Sequence, residues 1–597
     1  MVVRNWTRDA RLSLARLPGL SGARAPDAPS VTIRDPWPGD TGRGARLMKG
    51  ELVFCGAVSP LRPGRAAGQP GGQWGDPNVP PLLREHAHGF TWLRDLRALG
   101  TDGSRLRARA LVSDWLARPP IDPAARTPHV IGNRVASWLA HYDFFAATAD
   151  DGFRQRLMAR LMVEARSLSA SVRTRQHDHR ALTCLKGLFA AAVAIPEQAG
   201  FLTLAVRQVG PEIGRQILAD GTHAERSPRA QLAALRELVE IKLLMQAGQI
   251  APPLALPAAL DRMSPVLRAL RHGDGGLALF NGSHEENPVL IDLVLSQATR
   301  GRAIATTMPD GGFVRILSGR SLLLLDAGPP PPPGFDALAH AGTLSFEMSV
   351  GRERLIVNCG AGVLPAWRDA LRATAAHSTV SVGDTSSSEF RAGVVSRRPA
   401  HVALDHRQAG GAHWLDLSQD GYAPGFAAVH HRRIYVAEGG EDIRGEDSVH
   451  GERLHPFTMR FHLHPSVKAA RDVEDAGAVM LTLPSGGLWR FRVDGGQISI
   501  EESIYLGGDN PQRSTQIVVA VVPQPVVAGK APDPVHSAVP SEVPGEVRNE
   551  GPDGEADGEP HGAAAEANEE PDEADQAPAE EAPLPKVVRW ALIRIEP

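Results

Sequence analysis

Cysteine is scarce in this chain of 597 residues, which contains only Cys55, Cys184 and Cys359. Three cysteines that are widely spaced and odd in number argue against a disulfide framework and against a paired-cysteine metal site. Apolar runs long enough to cross a bilayer are absent too, and the first residues lack the apolar core that a signal peptide needs. The sequence therefore predicts a protein with no membrane span and no visible export signal.

The motifs of nucleic-acid-binding proteins are also missing: there is no zinc-finger spacing, no aromatic RNA-binding signature and no long basic helix. The formal net charge of −4 hides an asymmetry, because the segment from about Ser541 to Glu581 is strongly acidic while Arg is abundant elsewhere. The rest of the chain is therefore expected to be net basic, which suits an anionic partner. We expect an acidic polysaccharide and no nucleic acid; the sequence does not predict an oligomeric state.

Helical periodicity dominates from about Phe90 to Leu295, with apolar residues three and four positions apart between short joints that contain Pro or Gly. Examples are the segments 105–116, 154–172, 182–194 and 230–245. Helical hairpins in this order can form a bundle, a superhelix or a closed toroid, and periodicity alone does not choose among them.

After Gly301 the pattern changes to alternation, with many short strands between Gly, Asp and Pro residues. Such a series without intervening helices predicts an antiparallel sandwich. We divide the chain into an N-terminal extension with a short β segment (1–85), a helical domain (86–300) and a β-sandwich (301–597). Residues 525–585 are rich in Pro, Glu and Ala, so we expect a disordered acidic insertion there, followed by a last strand at 586–595.

The stretch from Asp336 to Val380 contains the most informative polar residues. His340 and His377 lie in successive runs with a strand-like pattern, on either side of Asn358, which stands in a turn bounded by glycine. An all-β module assembles a polar cluster on its surface in this way.

These runs resemble the C-terminal domain of the heparinase II/III family, a group of polysaccharide lyases. Where that family usually has His, His and Asp, this chain has Leu338, His340 and Gly342, and Asn358 stands where the family has Asp. The helical half resembles the same family, and the similar segments occur in the same order along the chain: 88–96, 133–138, 220–228 and 274–281, with further β-domain segments between 432 and 464.

The resemblance implies an α+β multidomain fold, in which an α/α toroid, incomplete here, precedes the antiparallel β-sandwich. It also implies a carbon–oxygen lyase of the cell envelope that cleaves an acidic, uronate-containing and glycosaminoglycan-like polysaccharide by β-elimination. Such a reaction needs a group that neutralises the uronate carboxylate, a base that removes the C5 proton and an acid that protonates the departing oxygen.

Three of the family's reactive positions are changed in this chain. The family has Tyr after the Ser-Pro of a toroid loop, and the matching residue here is Ala230. The first His of the β-domain motif is replaced by Leu338. An Asn-His pair on an earlier helix has no clear match, and the nearest candidate is His179.

The residues that remain predict a site around the loop that begins at Asp220. We predict catalytic roles for His223, Glu225 and Arg226, because imidazole has an unperturbed pKa near neutrality and guanidinium binds carboxylate bidentately. The alternatives are that His223 only caps the following helix and that Arg226 only forms a surface ion pair with Glu225.

Substrate contacts are predicted at three further residues: Arg134 would bind a carboxylate, Trp138 would stack on a sugar ring, and His179 would complete the site. Because Trp138 lies at helical spacing with other apolar residues, packing in the core is its alternative.

The resemblance also suggests a structural zinc ion, with His340, Asn358 and His377 at the positions of the ligands. Two imidazoles suit zinc, but an amide is a poor substitute for a carboxylate because it adds no charge. The alternative is that the two histidines hydrogen-bond across the sheet.

A lyase is therefore the leading functional prediction. A catalytically degenerate protein that binds glycan or assembles envelope polysaccharide on the same scaffold is the alternative. A hydrolase ranks last, because it needs two carboxylates that face one cleft, whereas Asp220 and Glu225 share a loop. The resemblance suggests the cell envelope or periplasm, and the cytoplasm is the alternative since no export signal is visible.

Overall fold

The computed structural model describes residues 25–62, 74, 76–117, 122–172, 178–362, 365–453, 455–522 and 587–595. The expected acidic insertion at 525–585 lies outside these residues. In the described part of the chain, no helix is long and apolar enough to cross a membrane.

A short helix and a hairpin precede the helical domain. Helix α1 (Thr41–Lys49) begins after Asp40, whose carboxylate accepts the backbone N–H of Arg43. Strands β1 (Glu51–Phe54) and β2 (Ala57–Pro60) form a two-stranded antiparallel sheet.

The helical domain follows the predicted periodicity closely; helix α7, for example, covers the whole predicted segment 154–172. Among the described residues, the α-helices of this domain are α2 (Pro81–Gly89), α3 (Leu93–Ala98), α4 (Asp102–Ala117), α5 (Pro128–Ala140), α6 (Tyr142–Phe145), α7 (Asp151–Val172), α8 (Arg180–Ala194), α9 (Gly200–Gln216), α10 (Pro228–Ala247), α11 (Ala255–Ala269) and α12 (Pro288–Ala298).

Local signals explain where the helices begin. Ser227 caps α10, because its hydroxyl accepts the backbone N–H of Ala230 and Pro228 occupies the first helical position. Asn287 caps α12 in the same way. Helices α5 and α8 pack closely because glycines meet: an added Cβ on Gly187 would lie 2.5 Å from the Cα of Gly132.

The β domain forms two large antiparallel sheets that pack face to face. Its elements are β3 (Phe313–Ser318), β4 (Ser321–Asp326), β5 (Phe346–Val350), β6 (Glu353–Val357), α13 (Pro365–Arg372), β7 (Val380–Val382), β8 (Glu389–Arg391), β9 (Val394–Arg397), β10 (Val402–Ala409), β11 (Ala412–Gln419), α14 (Ala423–Phe426), β12 (Ala428–Val436), β13 (Asp442–Gly451), β14 (Phe457–Leu463), β15 (Lys468–Arg471), β16 (Ala478–Thr482), β17 (Leu488–Asp494), β18 (Gln497–Tyr505), β19 (Gln512–Val521) and β20 (Val587–Ile595).

One sheet has the strand order β10-β11-β12-β13-β20-β17-β16-β15, and the other has β18-β19-β14-β6-β5-β4-β3, with β7 paired to β14. Their facing side chains, including Phe346, Phe461 and Trp590, form one buried apolar cluster. The predicted last strand is confirmed: β20 pairs with β13 and with β17 in the middle of its sheet.

The two halves share an apolar cluster and buried ion pairs. Val266 and Leu270, at the end of α11, belong to one buried cluster with Phe313 and Leu322 of β3 and β4. The helical elements end at Ala298 and β3 begins at Phe313. We propose that the domain boundary lies between these residues.

The segment after α11 is bound to the β-sandwich by charged side chains. Arg354 of β6 donates from Nε to the carboxylate of Asp274 at 2.7 Å. Nε2 of His272 lies 2.8 Å from Oε2 of Glu347 in β5. The second carboxylate oxygen of Glu347 accepts the backbone N–H groups of Leu279 and Asn358. These contacts fix the segment that leaves the helical domain against the sheet that carries the predicted polar residues.

Candidate functional site

His223 lies in the loop between α9 and α10, fully buried. Its Nε2 lies 2.9 Å from Oε1 of Gln216, and its Nδ1 accepts the backbone N–H of Glu225 at 3.2 Å. Both ring nitrogens therefore have protein partners when the imidazole is neutral. Burial lowers the pKa of His223 to about 4. A buried, satisfied and weakly basic imidazole is not placed to take a proton from a polysaccharide.

Glu225 contacts His179, the residue directly before α8. Oε1 of Glu225 accepts the backbone N–H of His179 at 2.9 Å and lies 2.7 Å from its Nδ1. The carboxylate side chain is only 1% exposed, whereas the His179 side chain is 24% exposed. The pair therefore has a buried carboxylate behind a partly exposed imidazole, the arrangement that orients a histidine for proton transfer.

The pKa values of the two groups move apart. Burial alone would lower the pKa of His179, but the facing carboxylate of Glu225 raises it above its usual value. Burial alone would raise the pKa of Glu225, but the imidazole of His179 lowers it. The structure thus joins three of the predicted residues, with His179 as the one that reaches solvent and His223 as a buried neighbour.

Arg226 turns away from this group and contacts the β domain. Its guanidinium donates to the carbonyl of Gly311 at 2.6 Å, to the carbonyl of Pro329 and to the carboxylate of Asp326. The residue is 4% exposed. These bonds commit the donors of Arg226 to the junction between the helical and β halves, which argues against the predicted catalytic role.

Arg134 and Trp138 lie in the core of the helical domain, which argues against the predicted substrate contacts. Arg134 is 1% exposed and donates to Glu164 and to the carbonyls of His88 and Ala125, each at 2.9 Å. Trp138 is fully buried, with its ring edge-on to Phe90 and Trp115. The helical spacing of Trp138 reflects packing, because its aromatic neighbours come from other segments: Trp115 lies in α4, and Phe90 directly follows α2.

His340 and His377 face each other in loops of the β domain, with Nδ1 of His340 3.1 Å from Nε2 of His377. Nδ1 of His377 lies 2.9 Å from the carbonyl of Ala373, so this nitrogen carries the proton and Nε2 accepts one from His340. Burial lowers the pKa of His377 to about 4, and burial together with His377 lowers the pKa of His340 strongly. Both imidazoles are therefore neutral at physiological pH.

Gly342 explains how the two rings meet. A Cβ added to Gly342 would lie 2.6 Å from Cδ2 of the His377 ring. The ring thus fills the space that a side chain at this position would need. The replacement of the family's Asp by Gly342 is a condition for the present position of His377.

The residues at the expected zinc site do not fit a zinc ion. Oδ1 of Asn358 accepts the backbone N–H of Ser378 at 3.0 Å, while Nδ2 is buried and has no hydrogen-bond partner among the described residues. An amide nitrogen is no ligand, so only two imidazole nitrogens remain of the three predicted ligands. Among the described residues, no group of three or more His, Cys, Asp or Glu side chains could hold a metal ion.

Other positions that differ from the family pattern are filled by packing. Ala230, where Tyr is expected, is fully buried in the first turn of α10. Leu338, in place of the first His, packs against Gly282, since a Cβ there would lie 3.1 Å from Cβ of Leu338.

Asn281 connects the two predicted groups. Its Nδ2 donates to the carbonyl of Arg226 at 2.8 Å, and its Oδ1 accepts the backbone N–H of His340 at 3.0 Å. The sequence showed Asn281 only as part of a family-like segment. Gln216 and Asp326 were missed entirely, although Asp326, a charged residue at the end of an apolar strand, was a signal for a buried ion pair.

A cavity of about 290 Å³ lies elsewhere, beside the C-terminal halves of α5 and α10. Its charged lining includes Asp35, Arg94, Lys186 and Glu240. These groups already pair, Arg94 with Asp35 at 2.9 Å and Lys186 with Glu240 at 3.2 Å. Arg229 and Leu243 of α10 are about 20 Å apart along the helix, so this cavity is separate from the loop that carries His223.

Known proteins share this architecture. Residues 300–550 match the family model described as heparinase II/III-like, C-terminal. The crystal structure of heparinase III superposes with a TM-score of 0.68 at 11% identity, covering 99% of this chain and 89% of that one. A mutant of the heparan sulfate lyase HepC from Pedobacter heparinus gives 0.53 at 16% identity, covering 87% and 88%. At such identities the structures show the fold alone, an α/α toroid followed by an antiparallel β-sandwich, as the resemblance implied.

A protein that is similar to this chain in sequence is named for its localisation with FtsZ and not for a lyase activity. The FtsZ-localized protein C of Caulobacter vibrioides (strain NA1000 / CB15N) is 30% identical over 532 residues, which cover 85% of this chain and 89% of the relative. The similarity thus includes both halves of the molecule. The chain belongs to the heparinase II/III-like family.

Proposed function

We propose that this chain is a non-lytic member of its family, which binds its partners and acts beside FtsZ instead of cleaving a polysaccharide. The observation that carries the proposal is Ala230, a fully buried methyl group where the family has the reactive Tyr. A methyl group can neither remove nor supply a proton.

The other groups that β-elimination needs are also lacking at the positions where the family has them. Leu338 replaces one His, and the surviving His340 and His377 bond to each other. Their lowered pKa values make both imidazoles weak bases. Without a base, an acid and a carboxylate-neutralising group directed at one point, the elimination has no route of low energy.

Neutralisation of a uronate carboxylate meets the same difficulty. The two arginines predicted to bind a carboxylate are committed elsewhere, Arg134 to Glu164 and Arg226 to Asp326. Asn358, the polar residue at a third family position, already accepts a backbone N–H through its oxygen. This supports a scaffold that has kept the family fold while its reactive positions changed.

The relative supports a role beside FtsZ. Similarity at 30% identity over 85% of this chain covers the whole architecture and not a shared module alone. The charge distribution suits a binding protein: residues 523–586 contain 16 acidic and three basic residues, so the rest of a chain with net charge −4 has a net charge of +9. A positive body attracts anionic partners, an acidic polysaccharide among them.

Two assays test the proposal. The purified chain is incubated with a panel of uronate-containing glycans, and the ultraviolet absorbance of unsaturated product is followed; we expect none, while the Pedobacter heparinus lyase on heparan sulfate serves as the positive control. Turnover by the chain that its own active-site variants abolish would overturn the non-lytic proposal.

The second assay measures binding to FtsZ. We expect the chain to sediment with FtsZ polymers and to stay in solution with unassembled FtsZ, and a fluorescent fusion to collect where FtsZ assembles. The lyase from Pedobacter heparinus, which has the same fold, is the matched control and should not sediment. The FtsZ-localized relative favours the cytoplasm as the location of the chain, and the proposal adopts it. Absence of both signals would contradict a role beside FtsZ.

A lyase remains the second candidate, favoured by the pair of His179 and Glu225. A partly exposed imidazole with a buried carboxylate behind it can move a proton at Nε2. If any glycan is cleaved, His179→Ala should reduce kcat by more than about a hundredfold. Arg180→Ala, next to His179, is the matched control and should have a much smaller effect.

A further inference from the structure

Strand β10 forms an open edge of the eight-stranded sheet. In the described part of the chain its only strand partner is β11. The six residues from Ala403 to Gln408 are all exposed, including the apolar Leu404 at 41%. A row of backbone N–H and C=O groups along such an edge can pair with a further strand.

The hairpin shows which backbone groups point outwards. Ala409 and Ala412 pair across the turn formed by Gly410 and Gly411, both of which have positive φ, so they form a hydrogen-bonded pair. Antiparallel strands alternate between bonded and non-bonded pairs. Odd-numbered residues of β10 therefore bond to β11, and the backbone N–H of Asp420, which donates to the carbonyl of His401, continues the same series.

The even-numbered residues thus direct their backbone groups away from the sheet. These residues are Val402, Leu404, His406 and Gln408. A second copy of the strand, antiparallel and centred on His406, would meet the backbone groups of Leu404, His406 and Gln408 in register, with Val402 opposite Gly410 of the turn. His406 would form a bonded pair with its counterpart, and Leu404 would form bonded pairs with Gln408 on both sides.

We propose that β10 pairs with β10 of a second copy of this chain, antiparallel and centred on His406, and that the two sheets join into one continuous sheet in a symmetric dimer. The charges along this edge attract those on the same edge of a second copy. In this register Asp405 stands opposite Arg407 of the second copy, and Arg407 opposite Asp405. Both pairs are non-bonded pairs, in which side chains approach most closely.

The charged residues around Asp405 within a single copy favour the pairing with Arg407 of a second copy. Asp405 lies opposite Asp416 of β11, a like charge. Arg407 bonds back to Asp405 of its own strand at 2.9 Å, with both side chains more than half exposed. A second Arg407 would give Asp405 an opposite charge on its open side, while Asp416 keeps its bond to Arg433 at 3.1 Å.

Several of the usual devices that prevent edge pairing are missing from β10. The strand is eight residues long and contains no Pro and no Lys. Its register with β11 continues without a bulge from Val402 to Ala409. Natural edges are normally shortened, bulged or protected by charged side chains. β10 does carry two charged side chains, Asp405 and Arg407, but they have opposite signs and face each other in the proposed register.

Sedimentation velocity of the full chain tests the proposal without FtsZ or glycan, so its result is independent of the proposed function. We expect a concentration-dependent dimer over a roughly hundredfold concentration range. D405R or R407D should each weaken the self-association constant by more than about tenfold, because like charges then face each other. The double variant D405R/R407D restores opposite charges and should dimerise again.

Backbone pairing is tested at His406. H406P removes an N–H that points away from β11, so the hairpin keeps its bonds while the dimer loses its central pair. H406A is the matched control and should dimerise. D442R, a similar charge reversal on the interior strand β13, should leave the dimer intact, and circular dichroism checks that each variant folds. A monomeric wild type, or a double variant as weak as the single ones, would overturn the proposal.

Discussion

Oε1 of Glu225 lies 2.7 Å from Nδ1 of His179 and 2.9 Å from its backbone nitrogen. One carboxylate oxygen thus accepts from the ring and from the main chain of the same residue. It joins the start of α8 to the loop before α10, and it orients the one predicted site histidine of the helical domain that reaches solvent.

Replacing Glu225 with Gln should destabilise the protein by about 2–4 kcal/mol near pH 6, because it removes one partner of a largely buried ion pair. The folded-state pKa of His179 is raised, so the contribution of the pair is complete below the unfolded value of about 6.5 and declines as the pH rises through the folded value. The lowered pKa of Glu225 means that the contribution also declines at low pH, below about 4.5.

Urea unfolding at pH 6 and at pH 9 checks this expectation, since the cost of E225Q should be larger at pH 6. Glu441→Gln, in an exposed ion pair with Arg594, is the control and should change stability by less than about 0.5 kcal/mol at both pH values. An equal cost of E225Q at the two pH values would show that His179 is not charged in the folded protein.

Buried neutral histidines should make the protein sensitive to acid. The pKa of His377 is lowered to about 4 by burial, so its contribution to stability is present above the unfolded value of about 6.5 and is lost as the pH falls towards 4. Burial also lowers the pKa values of His86, His88, His141, His223, His284 and His462.

The measurement is the free energy of unfolding between pH 7 and pH 4.5. The wild type should lose stability steadily, and His377→Gln should lose about 1–3 kcal/mol less over this range, because one fewer group takes up a proton on unfolding. His401→Gln, at an exposed site, should follow the wild type. A variant H377Q with the slope of the wild type would mean that His377 titrates alike in both states.

Arg226→Lys should cost about 3–5 kcal/mol, because a single ammonium cannot replace a fork that reaches Gly311, Asp326 and Pro329 at once. Chemical denaturation measures the loss, and limited proteolysis between residues 299 and 312 should become faster as the domain junction loosens. Arg433→Lys, on the exposed face of β12, should be nearly neutral. A neutral R226K would show that the junction does not depend on this contact.

Zinc should bind weakly or not at all to the wild-type chain, and Asn358→Asp should increase its affinity, because a carboxylate adds the charged oxygen that the two imidazoles lack. Mass spectrometry of chain purified without a histidine tag gives the metal content, and calorimetry gives the affinity. The double variant N358D/H340A should lose the gain. Stoichiometric zinc in the wild type, with loss of stability on chelation, would contradict the prediction.

Local patterns predicted the elements of this fold well. The predicted helix 182–194 lies within α8 (Arg180–Ala194), and the predicted helix 105–116 lies within α4 (Asp102–Ala117). Periodicity depends on residues a few positions apart, and neighbours in sequence decide it. The family resemblance, which rested on ordered segments in both halves, is confirmed by the family model and by the fold.

Side-chain exposure at the candidate site could not be predicted in this way. Arg134 is buried because Glu164, 30 residues away, neutralises it. Arg226 can be buried because its guanidinium is paired with the carboxylate of Asp326, 100 residues away in the β half. The residues near either arginine in sequence give no signal of these distant acidic partners. The sequence alone therefore predicted that both arginines are free to bind a substrate.

The sequence by itself determined the α+β architecture, the family and the loss of the reactive Tyr at Ala230, because each follows from residue type and local order. Only the tertiary structure decided which polar residues remain available. In the folded protein, His223 is buried and hydrogen-bonds to Gln216, and His340 hydrogen-bonds to His377. His179 is partly exposed beside Glu225. The physical reason is that burial and pairing, which set the charge of a side chain, arise between segments far apart in the chain.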